Sequence, residues 1–193
     1  MMYDAGYVEN ERKIEDPVAF GRKVKLFFDT TALMSDGFRS FLDRYGDRIK
    51  DEKLRLCTIE PVIVHLTNKS RRGNLAAVKS AEETLELIEE LKRQGIFTIK
   101  SRSRYSFLGY GLSMQQLILL ALYKMSKKSI AIVNCNQNLS DDIMMMNRLR
   151  SVKGNYIYSI NLSDDGFLYN NDTTFRETEE ADDEDDLFSQ LAV

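Results

Sequence analysis

Short apolar runs alternate with longer stretches of helical spacing along the chain. VKLFFD (Val24 to Asp29), LRLCTI (Leu54 to Ile59), IFTIK (Ile96 to Lys100) and SIAIVN (Ser129 to Asn134) each read as a buried strand, and YIYSINL (Tyr156 to Leu162) as a fifth. Between the first two, Phe38, Phe41, Leu42 and Tyr45 recur at helical spacing, behind Thr30, Thr31 and Ser35 as capping residues. PVIVHL opens on Pro61, which suits a first helical turn. NKSRRGN (Asn68 to Asn74) reads as a basic loop. A long amphipathic helix follows from Leu75 to Arg93, with Ala77, Ala81, Leu85, Ile88 and Leu91 on its apolar face and Gly95 ending it. SRSRYSFLGYG is loop-like. Ser113 caps MQQLILLALYKM, a helix apolar nearly all round and therefore expected to be buried. Asn138 or Ser140 starts a last helix through DDIMMMNRL.

Strands that alternate with helices predict an α/β fold: three α/β/α layers around a central, mostly parallel sheet of about five strands. The expected organisation is an N-terminal extension over 1–23, a domain over 24–163, and an acidic tail over 164–193 that is disordered or ordered only on binding. Ligand sites on such sheets lie beyond the carboxyl ends of the strands. Asp29, Cys57 and Asn136 are all expected at or just past strand ends.

A chain of 193 residues that is 43% hydrophobic suffices for one cored domain with extensions. Two cysteines, Cys57 and Cys135, and no signal-like apolar start predict a cytoplasmic or otherwise intracellular setting rather than a disulfide scaffold. The longest apolar stretch, LILLAL, is too short to span a bilayer, so no membrane is expected. The net charge of −3 hides an asymmetry. Residues 164–193 hold 11 acidic residues and one basic residue, leaving 26 basic and 19 acidic over 1–163. A basic body with an acidic tail fits a nucleic-acid-binding domain, and fits equally a body with a merely solvating tail.

KLFFDTTALM, PVIVHLTNKSRRG, MQQLILLALYKMSKKS and IAIVNCNQNLSDDIM, in that order, resemble the PIN domain family over about residues 24–163. These are small α/β/α metal-dependent nucleases, mostly ribonucleases. The resemblance implies three or four carboxylates around Mg²⁺ or Mn²⁺, where the metal generates hydroxide and stabilises the attacked phosphate. Carried over position by position, the first acid is Asp29. The second place holds His65, followed by Leu66. The third holds Gln115, and the fourth Asn136. Asp29 is thus the lone retained acid and the metal ligand if there is one.

The resemblance therefore implies a catalytically degenerate domain that binds RNA or single-stranded nucleic acid, or serves in an assembly, with no cofactor expected. The runner-up is an active Mg²⁺- or Mn²⁺-dependent ribonuclease with a rearranged acid cluster such as Asp29, Glu60 and Asp141. A protein-binding adaptor or inhibitor is the third alternative. Asn136 is read either as native or as an engineered Asp→Asn replacement, the latter leaving His65 unexplained.

The bland alternatives stand beside these. His65 is a half-buried residue filling an old acid's place, rather than one ligand of a Cys57–His65–Cys135 zinc site. Asp141 and Asp142 are expected in a first helical turn, where they favour the helix dipole without any catalytic role. Arg71, Arg72, Arg102, Arg104, Tyr105, Lys127 and Lys128 are the candidate nucleic-acid contacts, because arginines fork onto phosphates and aromatics stack on unpaired bases. Lys127 and Lys128 also read as an ordinary helix-end charge pair. The tail offers LFSQL as an apolar anchor for a protein partner, and the family resemblance adds pairing into a homodimer.

Overall fold

The computed structural model describes residues 12–100, 129–148 and 156–171. Their elements run β1 (Arg12–Lys13), α1 (Pro17–Lys23), β2 (Lys25–Phe28), α2 (Thr30–Leu33), α3 (Asp36–Asp51), β3 (Leu56–Ile59), α4 (Glu60–Arg71), α5 (Leu75–Arg93), β4 (Phe97–Lys100), β5 (Ile130–Asn134), α6 (Gln137–Arg148), β6 (Ile157–Leu162) and β7 (Leu168–Asn170).

The fold is α/β, as the alternation of patterns predicts. The sheet has seven strands in the order β1-β7-β6-β5-β2-β3-β4, rather than about five. Five adjacent strands, from β6 to the edge strand β4, are parallel, and these are the five that the apolar runs mark. The two additional strands, β7 and β1, pair antiparallel at one edge. They come from segments assigned by composition to a tail and an extension. Each strand is only two or three residues long, so neither has an apolar period to detect. The sheet thus includes Arg12–Lys13 and Leu168–Asn170, which lie outside 24–163.

Two hydrophobic clusters fill the space on either side of the sheet. One joins Leu26, Phe28, Ala131, Val133 and Ile160 to Phe38 and Phe41 of α3, Leu66 of α4 and Ile88 and Leu91 of α5. The other joins Phe27, Cys57, Ile130, Ile132 and Ile157 to Leu139, Ile143 and Met146 of α6. Alternate residues of β2 point to opposite clusters, as the period of a strand requires. Phe28 meets Phe38 and Phe41 at ring-centroid distances of 5.1 and 5.8 Å.

Local chemistry sets the ends of the helices. Asp16 caps α1 by accepting from the Val18 and Ala19 N–H groups at 3.1 Å, and Pro17 fits the first turn. Asn74 caps α5 through the Ala77 N–H at 2.9 Å, and Gly95, at φ +78°, follows its end. Helix α4 runs through Asn68 to Arg71, where a loop was expected, because nothing in NKSR breaks the helix before Gly73.

The β6–β7 turn lies directly on α3. A Cβ at Gly166 would stand 2.4 Å from the Phe41 nitrogen, and Gly166 has φ +80°. A Cβ at Gly37 would stand 2.2 Å from the Ser163 carbonyl oxygen. Backbone therefore meets backbone here, and both contacts depend on glycine. Lys13 and Arg44 also stack on the Phe167 ring, at 3.7 and 4.4 Å from its centroid. No described helix is long and apolar enough to cross a membrane.

Candidate functional site at the carboxyl rim of the sheet

Reduced to its parallel strands, the sheet runs β4-β3-β2-β5-β6. The chain reverses its direction of progress between β2 and β5. Such a switch point leaves a crevice at the carboxyl ends of the two strands, where ligands bind in open α/β sheets. Asp29 follows β2 and Asn134 ends β5, so the opening residues of both turns stand at this place.

Asp29 is 8% exposed. Its backbone N–H donates to the Val133 carbonyl at 3.0 Å, which continues the β2–β5 ladder by one residue. Its carboxylate accepts from the Ala32 N–H at 2.9 Å and from the Thr31 hydroxyl at 2.8 and 3.0 Å. Asp29 thus caps the short helix α2. Burial raises its pKa above the usual carboxylate range, against the lowering effect of the Ala32 and Thr31 hydrogen bonds.

Thr31 carries the network across the crevice. Its hydroxyl oxygen also accepts from the Cys135 N–H at 2.9 Å. Asn134, itself buried, accepts from the Asn136 N–H at 2.9 Å and the Ser140 hydroxyl at 3.3 Å. Asn136 in turn accepts from the Asn138 N–H at 3.0 Å, immediately before α6 begins at Gln137. Two asparagine side chains therefore shape this turn, and Asn136 occupies the helix N-cap. Asparagine and aspartate cap about equally well. The residue keeps the structural duty that an aspartate would have there and lacks the charge.

His65 reaches the same rim from α4. Its Nδ1 lies 3.1 Å from the Thr30 hydroxyl, with the donor set by the ring tautomer. Burial lowers its pKa, and Lys69 adds to the effect. The ring is accordingly held toward its neutral form. Cys135 is exposed and donates its thiol to the Leu162 carbonyl at 3.3 Å. Its pKa is raised, chiefly by desolvation and further by Asp29 and Asp164, while a Ser35 hydrogen bond opposes this.

Asp29, His65 and Asn136 thus gather at one rim, linked through Thr30, Thr31 and Cys135. Cys57 does not join them. It is fully buried, pairs with Phe27 inside the sheet, and belongs to the cluster beneath α6. The expected strand-end position fails because LRLCTI pairs only through Leu56–Ile59, which leaves Cys57 second in its strand. Asp141 and Asp142 lie outside the first turn of α6, since the helix starts at Gln137 rather than at Asn138 or Ser140. Asp141 accepts from the Gln137 side chain at 2.9 Å. Gln115, Arg102, Arg104, Tyr105, Lys127 and Lys128 lie outside the described residues.

Asp164 is the rim residue that sequence reasoning misses. Assigned to the tail, it follows the carboxyl end of β6 and is felt electrostatically by Cys135. The signal was available, because Asp164 follows a strand end just as Asp29 does. Its place in an acidic C-terminal run concealed it.

The described rim does not fit a divalent ion. His65 and Asn136 bring no charge, and no group of three His, Cys, Asp or Glu among the described residues stands close enough to hold a metal. Glu60, first in α4, is exposed and does not complete such a group with Asp29 and Asp141.

Helix α4 leads away from the rim. From His65 to Arg71 is six residues, or about 9 Å along the axis. No residue of α4 beyond Leu66 is buried, nor any of α5 before Ala81. The two helices therefore extend past the core as a hairpin, and its tip carries the exposed Arg71 and Arg72. A groove of about 670 Å³ between α3 and α5, floored by Leu42, Leu87, Leu91 and Ile96, is a separate feature.

The chain matches no protein-family model, and no curated protein is similar to it at a significant level.

Proposed function

We propose that this is a PIN-like domain with an incomplete acidic centre that binds single-stranded nucleic acid, RNA foremost, without cutting it. One observation carries the reading. The carboxylate of Asp29 is buried and committed to capping α2, and across the crevice the matching turn is closed by asparagine rather than acid. A rim of neutral amides, hydroxyls and an imidazole supplies hydrogen-bonding groups without metal-binding charge. The arginines at the hairpin tip suit phosphate oxygens. Glu60 and Asp164 border the rim, so the favoured phosphate path lies toward the tip and away from them.

Binding of a labelled single-stranded RNA, followed by anisotropy, tests this. Arg71→Gln/Arg72→Gln should weaken binding about tenfold and make log Kd less steep in log salt by about 1 to 1.5 units. The RNA should stay intact when Mg²⁺ or Mn²⁺ is added. Cleavage that Asp29→Asn abolishes would overturn the reading.

The second reading, an active metal-dependent ribonuclease with a rearranged acid cluster, gains support from Asp164, which like Asp29 acts electrostatically on the Cys135 thiol, rather than from Glu60 and Asp141. It requires cleavage that both Asp29→Asn and Asp164→Asn remove.

A further inference from the structure

The opposite rim, at the amino ends of the strands, carries a different set of groups. Phe27 of β2 pairs with Cys57 of β3, so two residues earlier Lys25 and Arg55 stand side by side. Lys23 ends α1 just before β2, and Lys53 sits between α3 and β3. Arg148 ends α6 beside Asn147. The Asn147 side chain donates to the Ile157 carbonyl at 2.7 Å and accepts from the Ile157 N–H at 3.1 Å, which fixes this helix end to the start of β6.

Neighbouring cations of this rim are paired. Arg22 lies 3.1 Å from Glu52, Lys92 lies 2.7 Å from Glu89, and Arg93 is paired with Glu90. Lys23, Lys25, Lys53, Arg55 and Arg148 form no ion pair among the described residues. Exposed Asp51 is the nearby acid outside those pairs. Among the described residues the rim is thus a band of net positive charge at the end of the sheet away from Asp29.

The last described strand points toward this band. Strand β7 runs antiparallel to β6, so the chain leaves it heading for the amino rim. The Asn171 N–H bonds the Ser159 carbonyl at 3.1 Å, one strand repeat short of Ile157. Ile157, Ile130 and Lys25 are register partners in one row. From β7 to β2 is three strand spacings, about 14 Å, and β3 lies about 19 Å away. The six residues from 172 to 177 reach about 20 Å when extended. From Glu177 to Asp186, eight of the ten residues are acidic.

We propose that the acidic segment Glu177–Asp186 docks on the amino rim of its own chain, across Lys23, Lys25, Lys53, Arg55 and Arg148. The charges are complementary, the connecting length matches the span, and the exit point is adjacent. The contact is salt-sensitive because its groups are exposed. It leaves the Asp29 rim open, so the tail screens the back of the domain rather than its crevice. This inference does not depend on what the crevice binds.

Carbodiimide cross-linking of the full chain, dilute and at low ionic strength, tests it by joining carboxylates to nearby lysine amines. Peptides from 177–186 should be linked to Lys23, Lys25 and Lys53, with Lys13, Lys69 and Lys79 as internal controls. The links should fall at least fivefold in 0.5 M salt. They should fall at least threefold in Arg55→Gln/Arg148→Gln, which removes charge and keeps every lysine reporter. Should that variant misfold, the salt series on the unaltered chain decides. Links spread evenly over the control lysines, links only between two chains, or links indifferent to salt would overturn the proposal. So would the absence of tail links together with loss of single-stranded oligonucleotide binding in the double variant, which would assign the rim to nucleic acid.

Discussion

At the carboxyl ends of β2 and β5, polar side chains turn back onto the chain's own backbone: Asp29 onto Ala32, Asn134 onto Asn136, Asn136 onto Asn138. At the amino end of the same sheet, Lys25, Arg55 and Arg148 are exposed. The first set closes turns and starts helices, so its removal should be felt as lost stability. The second set contributes little to the fold, so its removal should be felt in what the rim attracts. Asp and Asn carry oxygens that accept from a free backbone N–H at a turn or helix start, whereas Lys and Arg carry donors and no acceptor.

The largest effect that would break this comparison lies where the carboxyl rim is buttressed. Gly166→Ala should cost about 3 kcal/mol, from left-handed backbone strain and from displacing the turn off α3. Chemical denaturation checks it, and a loss near zero would mean the turn is not locked there. Asn136→Ala should cost about 1 kcal/mol as a lost cap, while Asn136→Asp should cost little. Equal losses for the two would remove the capping account.

A smaller and pH-dependent effect belongs to Asp29. Burial raises its folded pKa, so the folded state holds the proton more tightly than the unfolded chain. Its contribution to stability is full below an unfolded value of about 3.9 and is lost as pH rises through the folded value. Asp29→Asn keeps an oxygen for the Ala32 N–H and should gain on the unaltered protein between about pH 4 and pH 7. Thermal melts across that range measure it, and a difference that shrinks with pH would contradict the sign. His65 has the opposite linkage. Its lowered pKa makes its contribution full above about 6.5 and lost as pH falls.

The smallest stability effect is expected at the amino rim. Arg55→Gln/Arg148→Gln should leave unfolding free energy within about 0.5 kcal/mol of the original. A larger loss would show that these cations serve the fold after all.

Much of the architecture was legible in the order of residues. Each of the five parallel strands is marked by a run of apolar residues, and the 75–93 helix follows its apolar stripe and its Gly95 boundary. Strands buried on both faces leave such runs, and helix ends leave caps. Strands β1 and β7 were hidden because two or three residues hold no period. The candidate site is legible in part: Asp29 and Asn136 follow strand-like runs and His65 lies one turn into a helix, whereas the enclosure of Cys57 within β3 and the nearness of Asp164 to Cys135 follow from how the strands pair.

The chain by itself determined the alternation of strand and helix, the apolar faces and the charge imbalance between body and C-terminus, because these depend on residue type and on spacing along one segment. Only the tertiary structure decided that the Thr31 hydroxyl beyond β2 accepts from the Cys135 N–H beyond β5, that Asp29 is buried where these strands pair, and that β1 pairs with β7 at the sheet edge. Those facts depend on pairing between strands more than a hundred residues apart, and a local pattern carries no record of the register that long-range pairing chooses.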